Sequence, residues 1–287
     1  LSKQTLAEHL PDFSRGVLNF AEAKDLQYDL IHSHYWMSGV AGEILKERWQ
    51  VPMLQMFHTL GKLKQQIAQT PAEAEGEYRI QGEYRALQAA DRIVASTTTE
   101  RNQLNELYQV DPGKIEVIPP GVDVSRFYPI PPEEAKEYVG IPEEERMLLF
   151  VGRIEPLKGL ETLFRALAAL ARRNSLDEDR LCLAVIGGDP EGEEKTNNGE
   201  MESLKALREE IGLEDLVTFL GKQDQDSLPY YYSAAEMVIM PSHYESFGMV
   251  ALESMACGTP VIASQVGGLV HLVEHGVTGF HVPVEDP

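Results

Sequence analysis

Short runs of β-forming residues alternate with helical patterns along this chain. The strand-like runs cover residues 28–34, 52–58, 92–96, 114–119, 147–152, 181–188, 217–221, 237–242, 260–264 and 279–283. The helical patterns cover residues 38–49, 73–90, 98–108, 159–172, 201–211, 227–235 and 248–257. Strands that alternate with helices are typical of βαβ units, in which the strands run parallel. The sequence therefore predicts an α/β fold built on parallel sheets.

A proline-rich and acidic stretch divides this alternation into two halves. Prolines occur at positions 119, 120, 129, 131 and 132, and residues 133–145 are rich in glutamate. We therefore predict a Rossmann-like domain over residues 1–124, a linker over 125–145 and a second Rossmann-like domain over 146–287. Two doubly wound domains that face a cleft are the simplest arrangement, with ligands at the carboxyl ends of the strands. The chain lacks an initial methionine and stops after a strand-like run, so we expect truncation of both domains, at the N-terminus and the C-terminus respectively.

The chain is strongly acidic. It contains 25 Lys and Arg residues against 46 Asp and Glu residues, a formal net charge of −21. This charge repels nucleic acid and anionic membranes, and no apolar stretch approaches the roughly 20 residues that cross a bilayer. We expect a cytoplasmic protein with neither nucleic acid nor membrane among its partners, while the sequence carries no signal of its oligomeric state. A phosphorylated ligand must then be held by a few local cations.

Two cations follow the strand-like run 148–152. Arg153 comes directly after this run, and Lys158 lies where the next helical pattern begins. In an acidic protein, cations at the carboxyl end of a strand favour a diphosphate ligand. The alternative is a surface arginine and a first-turn lysine that pair with Glu155 or Glu161. The charges alone do not choose between the two interpretations.

Two carboxylates follow the strand-like run 237–242. Glu245 precedes a helical pattern and Glu253 lies inside it. Amides at a helix start can hold an anion, and two such carboxylates can bind the hydroxyls of a sugar and of a ribose. The alternative is a capping Glu245 and an exposed helical Glu253. Gly267 and Gly268, after the next strand-like run, favour the binding interpretation because glycines let backbone amides approach a phosphate closely.

Some residue patterns that occur in metal sites are also present. His32 and His34 lie on one face of a predicted strand, but no third ligand stands at a useful spacing. The Asp-x-Asp patterns at residues 177–179 and 224–226 fall in a charged loop and before a helix, where aspartates are solvated or cap the helix. We therefore predict no metal site.

The second half of the chain resembles the donor domain of a known enzyme family. The pair Arg153 and Lys158, the pair Glu245 and Glu253, and residues 258–261 are similar to retaining glycosyltransferases of the GT-B fold, specifically glycosyltransferase family 4. The resemblance implies that the two cations neutralise a nucleotide diphosphate. It implies that Glu245 binds donor-sugar hydroxyls and that Glu253 binds the ribose. The remaining donor-binding positions that it implies are Ser246, Phe247, Gly248, Met249 and Lys222.

The first half sharpens this resemblance. Residues 31–39 and 57–62 resemble the D-inositol-3-phosphate glycosyltransferases and, less closely, the sucrose-phosphate synthases. The resemblance implies that His58 sits beside the reacting sugar. It also implies an acceptor-phosphate site of two hydroxyls and one guanidinium, those of Tyr35, Thr59 and Arg79. Such a set suits a phosphate monoester.

The sequence thus predicts a retaining hexosyltransferase. It would move a sugar from a nucleotide diphosphate sugar, UDP-glucose or UDP-N-acetylglucosamine, to a phosphorylated polyol or sugar acceptor, with no cofactor beyond the sugar nucleotide as co-substrate. The predicted catalytic residues are Arg153, Lys158, His58 and Glu245. Two alternatives stay open, namely a sugar nucleotide epimerase that uses His58 or Glu245 as a base, and an inactive fragment that binds nucleotide.

Overall fold

The structure, a computed structural model, describes residues 3–68, 75–173, 181–189 and 198–287. It divides into two compact units, Leu1–Pro119 and Pro120–Pro287. Residues 125–145, which the sequence assigns to a linker, belong to the second unit. So do residues 120–124, which the sequence assigns to the first domain.

The first unit is built on a parallel sheet. Its strands are β1 (Ile31–His34), β2 (Met53–Met56), β3 (Arg92–Ala95) and β4 (Ile115–Val117). Its helices are α1 (Lys3–Glu8), α2 (Leu10–Ala23), α3 (Tyr35–Trp49), α4 (Gly61–Ile67), α5 (Glu77–Ala89) and α6 (Thr98–Tyr108). The strands lie side by side in the order β1-β2-β3-β4, and each neighbouring pair is parallel. All their carboxyl ends therefore point to one edge of the sheet.

The second unit is built on a larger parallel sheet. Its strands are β5 (Arg146–Val151), β6 (Leu181–Ile186), β7 (Val217–Gly221), β8 (Ala235–Met240), β9 (Val261–Ser264) and β10 (Gly279–Val282). Its helices are α7 (Pro132–Val139), α8 (Leu160–Arg173), α9 (Asn198–Glu210), α10 (Leu228–Ala234), α11 (Met249–Ala256) and α12 (Leu269–Leu272). The sheet order is β10-β9-β8-β5-β6-β7, so the strand order reverses direction between β5 and β8.

Helices and apolar side chains cover both faces of this second sheet. Leu149 and Phe150 are adjacent on β5 and are almost fully buried, yet they belong to separate core clusters. Successive side chains of a strand point to opposite faces, so each cluster lies on its own side of the sheet. This two-sided burial explains why the central strands read as continuous apolar runs rather than as alternating patterns.

The predicted strands all have counterparts in the structure, with some ends shifted. For example, β1 begins at Ile31 rather than at residue 28. Helix α7 was not predicted, because its prolines indicated an interruption. Pro132 instead occupies the first helical turn, where no backbone N–H donor is needed, and Gly140 ends the helix with φ 75°. Helix α7 packs on α10, where the ring centres of Tyr138 and Tyr230 are 3.9 Å apart.

Candidate active site

The reversal of strand order in the second unit brings the predicted donor-site residues to neighbouring strand ends. Arg153 and Lys158 follow β5, and Glu245 follows β8, the strand beside it. In doubly wound sheets, the loops diverge where the strand order reverses and leave a crevice outside the carboxyl ends. The cations and the carboxylate, which the sequence places far apart, therefore meet at the usual ligand position of such a sheet.

Lys158 and Glu245 form an ion pair in this position. Lys158 Nζ lies 2.5 Å from Glu245 Oε2, and the two side chains are 21% and 15% exposed. The backbone supports the contact, because the N–H of His243 donates to the carbonyl of Leu157 at 2.9 Å. Lys158 thus pairs with a residue of the loop after the neighbouring strand β8 rather than with Glu155 or Glu161. An ammonium group has three donors, so this pairing leaves Lys158 able to bind a second anion.

Arg153 is a surface arginine that pairs with Glu155, as the alternative interpretation of the two cations predicted. Its Nη1 lies 2.6 Å from Glu155 Oε1, and its side chain is 69% exposed. An exposed pair of this kind contributes little to stability and exchanges partners readily. Arg153 is therefore held near the end of β5 without being fixed there.

Glu253 is not exposed, so the alternative in which it is an ordinary surface residue of the helix does not hold. It lies on α11, half-buried, and its Oε2 accepts a hydrogen bond of 2.8 Å from the hydroxyl of Tyr232. Burial raises the pKa of Glu253, although the Tyr232 hydroxyl opposes this shift. Tyr232 is itself completely buried, and its carbonyl accepts from the Thr259 hydroxyl at 2.6 Å. The carboxylate is thus held in a fixed orientation from the core side.

The glycine pair after β9 packs against the loop that carries Glu245. The N–H of Gly268 donates to the carbonyl of Glu245 at 3.0 Å. A Cβ atom on Gly267, whose φ is 46°, would lie 1.7 Å from that carbonyl oxygen, and one on Gly268 would lie 2.5 Å from Phe247 Cα. The sequence predicted close approach of these amides to a phosphate. In the structure the two glycines allow close approach of another loop, which positions Glu245.

Substituting Gly267 with alanine should therefore displace the Glu245 loop. We expect a loss of roughly 2–4 kcal/mol in the free energy of unfolding, because the new Cβ meets a backbone carbonyl and φ is positive. Gly276→Ala is the matched control, since Gly276 has φ 79° and open space around its Cβ position. Its expected cost is only about 1 kcal/mol. Urea denaturation followed by circular dichroism measures both, and equal costs would contradict the packing role.

The other predicted donor-site residues lie in the turn before α11 and directly after β7. Gly248 has φ 105° and precedes Met249, the first residue of α11, so Ser246 and Phe247 lie in the turn before the helix. Lys222 directly follows β7, whose last residue Gly221 also has positive φ. All of them lie at the carboxyl edge of the second sheet.

The predicted acceptor residues lie at the carboxyl edge of the first sheet. Tyr35 follows β1, and His58 and Thr59 follow β2. Tyr35 and His58 both have left-handed backbone conformations, with φ 70° and 65°. Such angles are uncommon for bulky side chains and cluster where a loop is constrained for function. The parallel order of β1 and β2 explains why these residues are neighbours.

Arg79, on α5, is completely buried and contacts the other two residues of the predicted phosphate site. Its Nη2 donates to the carbonyl oxygen and to Oγ1 of Thr59, both at 2.9 Å, and its Cζ lies 5.1 Å from the centre of the Tyr35 ring. Its Nε donates to Glu83 Oε1 at 2.9 Å, and its Nη1 donates to Glu75 Oε1. Burial lowers the pKa of Arg79, but the attraction of Glu83, Tyr35 and Glu75 outweighs it and the pKa is raised.

Glu83 fixes the other side of this guanidinium. Besides Arg79 Nε, it accepts from the N–H of Gly61 at 2.9 and 3.1 Å and from the hydroxyl of Tyr108. The N–H of Lys62 in turn donates to that hydroxyl at 3.0 Å. Burial raises the pKa of Glu83, while its hydrogen-bond donors oppose this shift because they favour the charged form. A side chain that accepts from several donors in this way is a carboxylate.

Neither Glu83 nor Tyr108 was predicted as part of the site. The spacing of Arg79 and Glu83, four residues apart in a predicted helix, was the available signal, because such residues face each other. Tyr108 carries no such signal, since its contact with Glu83 depends on how α6 packs.

His58 is paired with a second histidine. His34 Nδ1 lies 2.8 Å from His58 Nε2, so one ring donates and the other accepts, and the rings stack with centres 5.1 Å apart. Partial burial, together with His34 and His32, lowers the pKa of His58. His58 is therefore neutral at pH 7 and can hydrogen-bond a hydroxyl without repelling a cation. His34 was rejected above as a metal ligand, and its contact with His58 was not predicted.

Two further observations concern metals and membranes. Within residues 3–68, 75–173, 181–189 and 198–287, no group of three or more His, Cys, Asp or Glu side chains has metal-binding geometry. Asp226 Oδ1 lies 3.2 Å from Arg126 Nε, whereas residues 177–179 are outside the described ranges. No helix in the described part of the chain has the length and apolar character needed to cross a membrane.

Two units with parallel sheets, the second with a cation–carboxylate pair at its strand reversal, are the architecture expected of the GT-B fold. The model for the family described as glycosyl transferases group 1 matches residues 132–287, and the model for glycosyltransferase family 4 matches residues 4–126. The chain belongs to the group 1 glycosyl transferase family, with a family 4 N-terminal domain. This confirms the predicted GT-B fold and the predicted family.

Individual relatives agree with this assignment. The chain is 43% identical to D-inositol 3-phosphate glycosyltransferase 2 of Catenulispora acidiphila over 288 residues, which covers 100% of this chain and 66% of that protein. It is 44% identical to D-inositol 3-phosphate glycosyltransferase of Actinosynnema mirum, with coverages of 98% and 67%. Among solved structures, it is similar to sucrose-phosphate synthase from Thermosynechococcus elongatus, with a TM-score of 0.84, 35% identity, and coverages of 99% and 67%. The chain spans about two thirds of the length of these relatives.

Proposed function

We propose that this protein transfers a hexosyl unit from a nucleotide diphosphate sugar, UDP-glucose or UDP-N-acetylglucosamine, to a phosphorylated polyol or sugar, with retention at the anomeric carbon. The observation that carries the proposal is the Lys158–Glu245 pair at the strand reversal of the second sheet. It supports placing a diphosphate and a sugar at the same strand ends. The names of the similar proteins, which refer to D-inositol 3-phosphate and to sucrose phosphate, support a phosphorylated acceptor.

On the donor side, Lys158 and Arg153 stabilise the nucleotide diphosphate as it leaves. Negative charge develops on the leaving oxygen in the transition state. A cation held in position, as Lys158 is by its ion pair with Glu245, lowers the free energy of that state more than that of the bound substrate. Glu245, held by Lys158, accepts hydrogen bonds from hydroxyls of the donor sugar. Glu253, held by Tyr232, accepts from the ribose hydroxyls. The two carboxylates thus bind, and the cations carry the catalytic charge stabilisation.

On the acceptor side, Tyr35, Thr59 and Arg79 hold the phosphate and so fix the position of the attacking hydroxyl. Such positioning accounts for a large part of the rate enhancement in group transfer. The acceptor oxygen bonds to the anomeric carbon as the bond from that carbon to the diphosphate breaks. An oxygen of the leaving diphosphate takes the proton of the acceptor hydroxyl, so no enzymic base is required. Neutral His58 hydrogen-bonds a hydroxyl of the transferred sugar.

The test is a transfer assay on the purified chain with each donor and each of two acceptors, inositol monophosphate and fructose 6-phosphate. We expect UDP release that depends on a phosphorylated acceptor, and a product with the anomeric configuration of the donor. The same reactions with unphosphorylated inositol and fructose are the matched control, and they should be slower by at least about 100-fold, because a charge-assisted phosphate contact is lost.

Other outcomes would identify the alternatives. Conversion of the sugar nucleotide to an epimer without any acceptor would identify an epimerase. Protection from thermal unfolding by UDP without transfer to any acceptor would identify a chain that binds nucleotide only. Equal transfer to phosphorylated and unphosphorylated acceptors would contradict the acceptor-phosphate site.

A further inference from the structure

Gln55, on β2, has a completely buried amide group that is hydrogen-bonded on both its oxygen and its nitrogen. Its Oε1 accepts from the hydroxyl of Ser33 at 2.6 Å, and its Nε2 donates to the carbonyl oxygens of Met56 at 2.9 Å and of Tyr35 at 3.2 Å. A carbonyl oxygen can only accept and an amide nitrogen can only donate, so these partners fix the orientation of the amide. Gln55 therefore connects β1, β2 and the first residue of α3.

The packing of α3 leaves just enough room for this amide. A Cβ atom on Gly39, within α3, would lie 2.4 Å from Gln55 Oε1 and 2.4 Å from the Cβ atom of Ala86. Glycine at this position therefore lets the helix backbone approach the amide closely. In such close packing the side chain of Gln55 has one available position, which makes it a rigid support for the groups that it contacts.

The contact with Tyr35 lies at a strained point of the predicted acceptor site. Tyr35 has φ 70°, a left-handed conformation that costs free energy for a bulky side chain and persists only where neighbouring contacts maintain it. Gln55 holds the carbonyl group of this residue, and the ring of the same residue lies beside Arg79, whose Cζ is 5.1 Å from the ring centre. A change of Tyr35 to negative φ would move its ring relative to the guanidinium.

We propose that Gln55 is a positioning residue for acceptor binding, because its amide maintains the left-handed conformation of Tyr35 and so places the Tyr35 hydroxyl for the acceptor phosphate. The inference rests on the proposed acceptor-phosphate role of Tyr35. Gln55 itself is buried and does not touch the acceptor. Ser33 contributes indirectly, since its hydroxyl orients the amide.

Gln55→Leu removes both amide donors and keeps a side chain of similar size. Inorganic phosphate should then bind about tenfold more weakly in isothermal titration, because Tyr35 no longer has one fixed conformation. In the transfer assay, the KM of the phosphorylated acceptor should rise by a similar factor, whereas kcat and the donor KM should stay within about twofold. Ser33→Ala removes only the hydrogen bond to Gln55 Oε1, so it should weaken phosphate binding by about threefold. It provides the same test if Gln55→Leu does not fold.

A double-mutant cycle separates positioning from a general loss of packing. Tyr35→Phe alone should weaken phosphate binding about tenfold, because it removes the hydroxyl that contacts the phosphate. If Gln55 acts through Tyr35, adding Gln55→Leu to Tyr35→Phe should change the affinity by less than about twofold. Asp91→Ala is the matched control, since Asp91 Oδ2 accepts from the N–H of Met53 at 2.7 Å, at the other end of the same strand. It removes a hydrogen bond to β2 but should leave phosphate affinity within about twofold.

The outcomes distinguish this inference from the proposed function. If the unsubstituted chain binds phosphate but Gln55→Leu and Ser33→Ala bind it equally well, the positioning role fails and the proposed function stands. The same holds if Gln55→Leu weakens binding equally with and without the Tyr35 hydroxyl, or if Asp91→Ala weakens it as much. If the unsubstituted chain does not bind phosphate and transfer ignores the acceptor phosphate, both fail.

Discussion

Replacing Lys158 with alanine should lower kcat by about 10³-fold, the largest catalytic effect expected in this protein. The Lys158 ammonium is the partly buried cation at the strand reversal. It would face the diphosphate, on which negative charge develops as the bond to the sugar breaks. Removing it takes away stabilisation of the transition state that Arg153 does not replace, because Arg153 is exposed and is not fixed in position. Initial rates of UDP release at saturating donor and acceptor measure the effect. Turnover equal to that of the unsubstituted enzyme would rule out the assigned role.

Two comparisons separate catalysis from the loss of an ion pair. Arg165→Ala is a control on the following helix, because Arg165 is exposed and pairs locally with Glu161 at 2.7 Å, so kcat should change less than about twofold. A double-mutant cycle with Glu245→Ala gives the coupling between the paired residues. If Lys158 served only to hold Glu245, the double variant would be no slower than Glu245→Ala alone. We expect it to be slower by at least about tenfold.

The sequence was enough to predict which edge of each sheet carries the site residues, but it was not enough to predict which of these residues contact each other. Parallel strands place all their carboxyl ends at one edge, so residues that directly follow strands were expected to share an edge. No local sequence pattern determines which strands lie next to each other in the sheet. Lys158 and Glu245 are 87 positions apart, and they meet only because β8 pairs with β5 rather than with a strand nearer in sequence.

Buried polar networks were the least predictable part of the site. Arg79 was expected to present a guanidinium to a ligand, yet the structure surrounds it with Glu75, Glu83 and Thr59. A charged residue in a helical pattern looks the same in sequence whether it faces solvent or a buried partner. The distinction arises from the packing of α4, α5 and α6, which brings Gly61, Glu83 and Tyr108 together.

The strongest expected effect on stability follows from that packing. Glu83→Ala leaves the Arg79 guanidinium buried without its permanent countercharge and leaves the N–H of Gly61 without its acceptor. Removing one partner of a buried, hydrogen-bonded ion pair costs about 3–5 kcal/mol. Both tryptophans of the chain, Trp36 and Trp49, lie in the first unit, so their fluorescence during urea denaturation reports this unit selectively.

Tyr108→Phe provides the graded control for Glu83→Ala. It removes one hydroxyl that donates to Glu83 and keeps the ion pair with Arg79, so the expected cost is about 1–2 kcal/mol. A cost of Glu83→Ala no larger than that of Tyr108→Phe would mean that the ion pair stabilises nothing beyond a single hydrogen bond. If the costs are as expected, Glu83→Ala should also raise the KM of the phosphorylated acceptor, because Arg79 then loses the contact that orients Nη1 and Nη2 toward the phosphate position. The donor KM should stay within about twofold, since the residues assigned to the diphosphate, the ribose and, apart from His58, the donor sugar lie in the second unit.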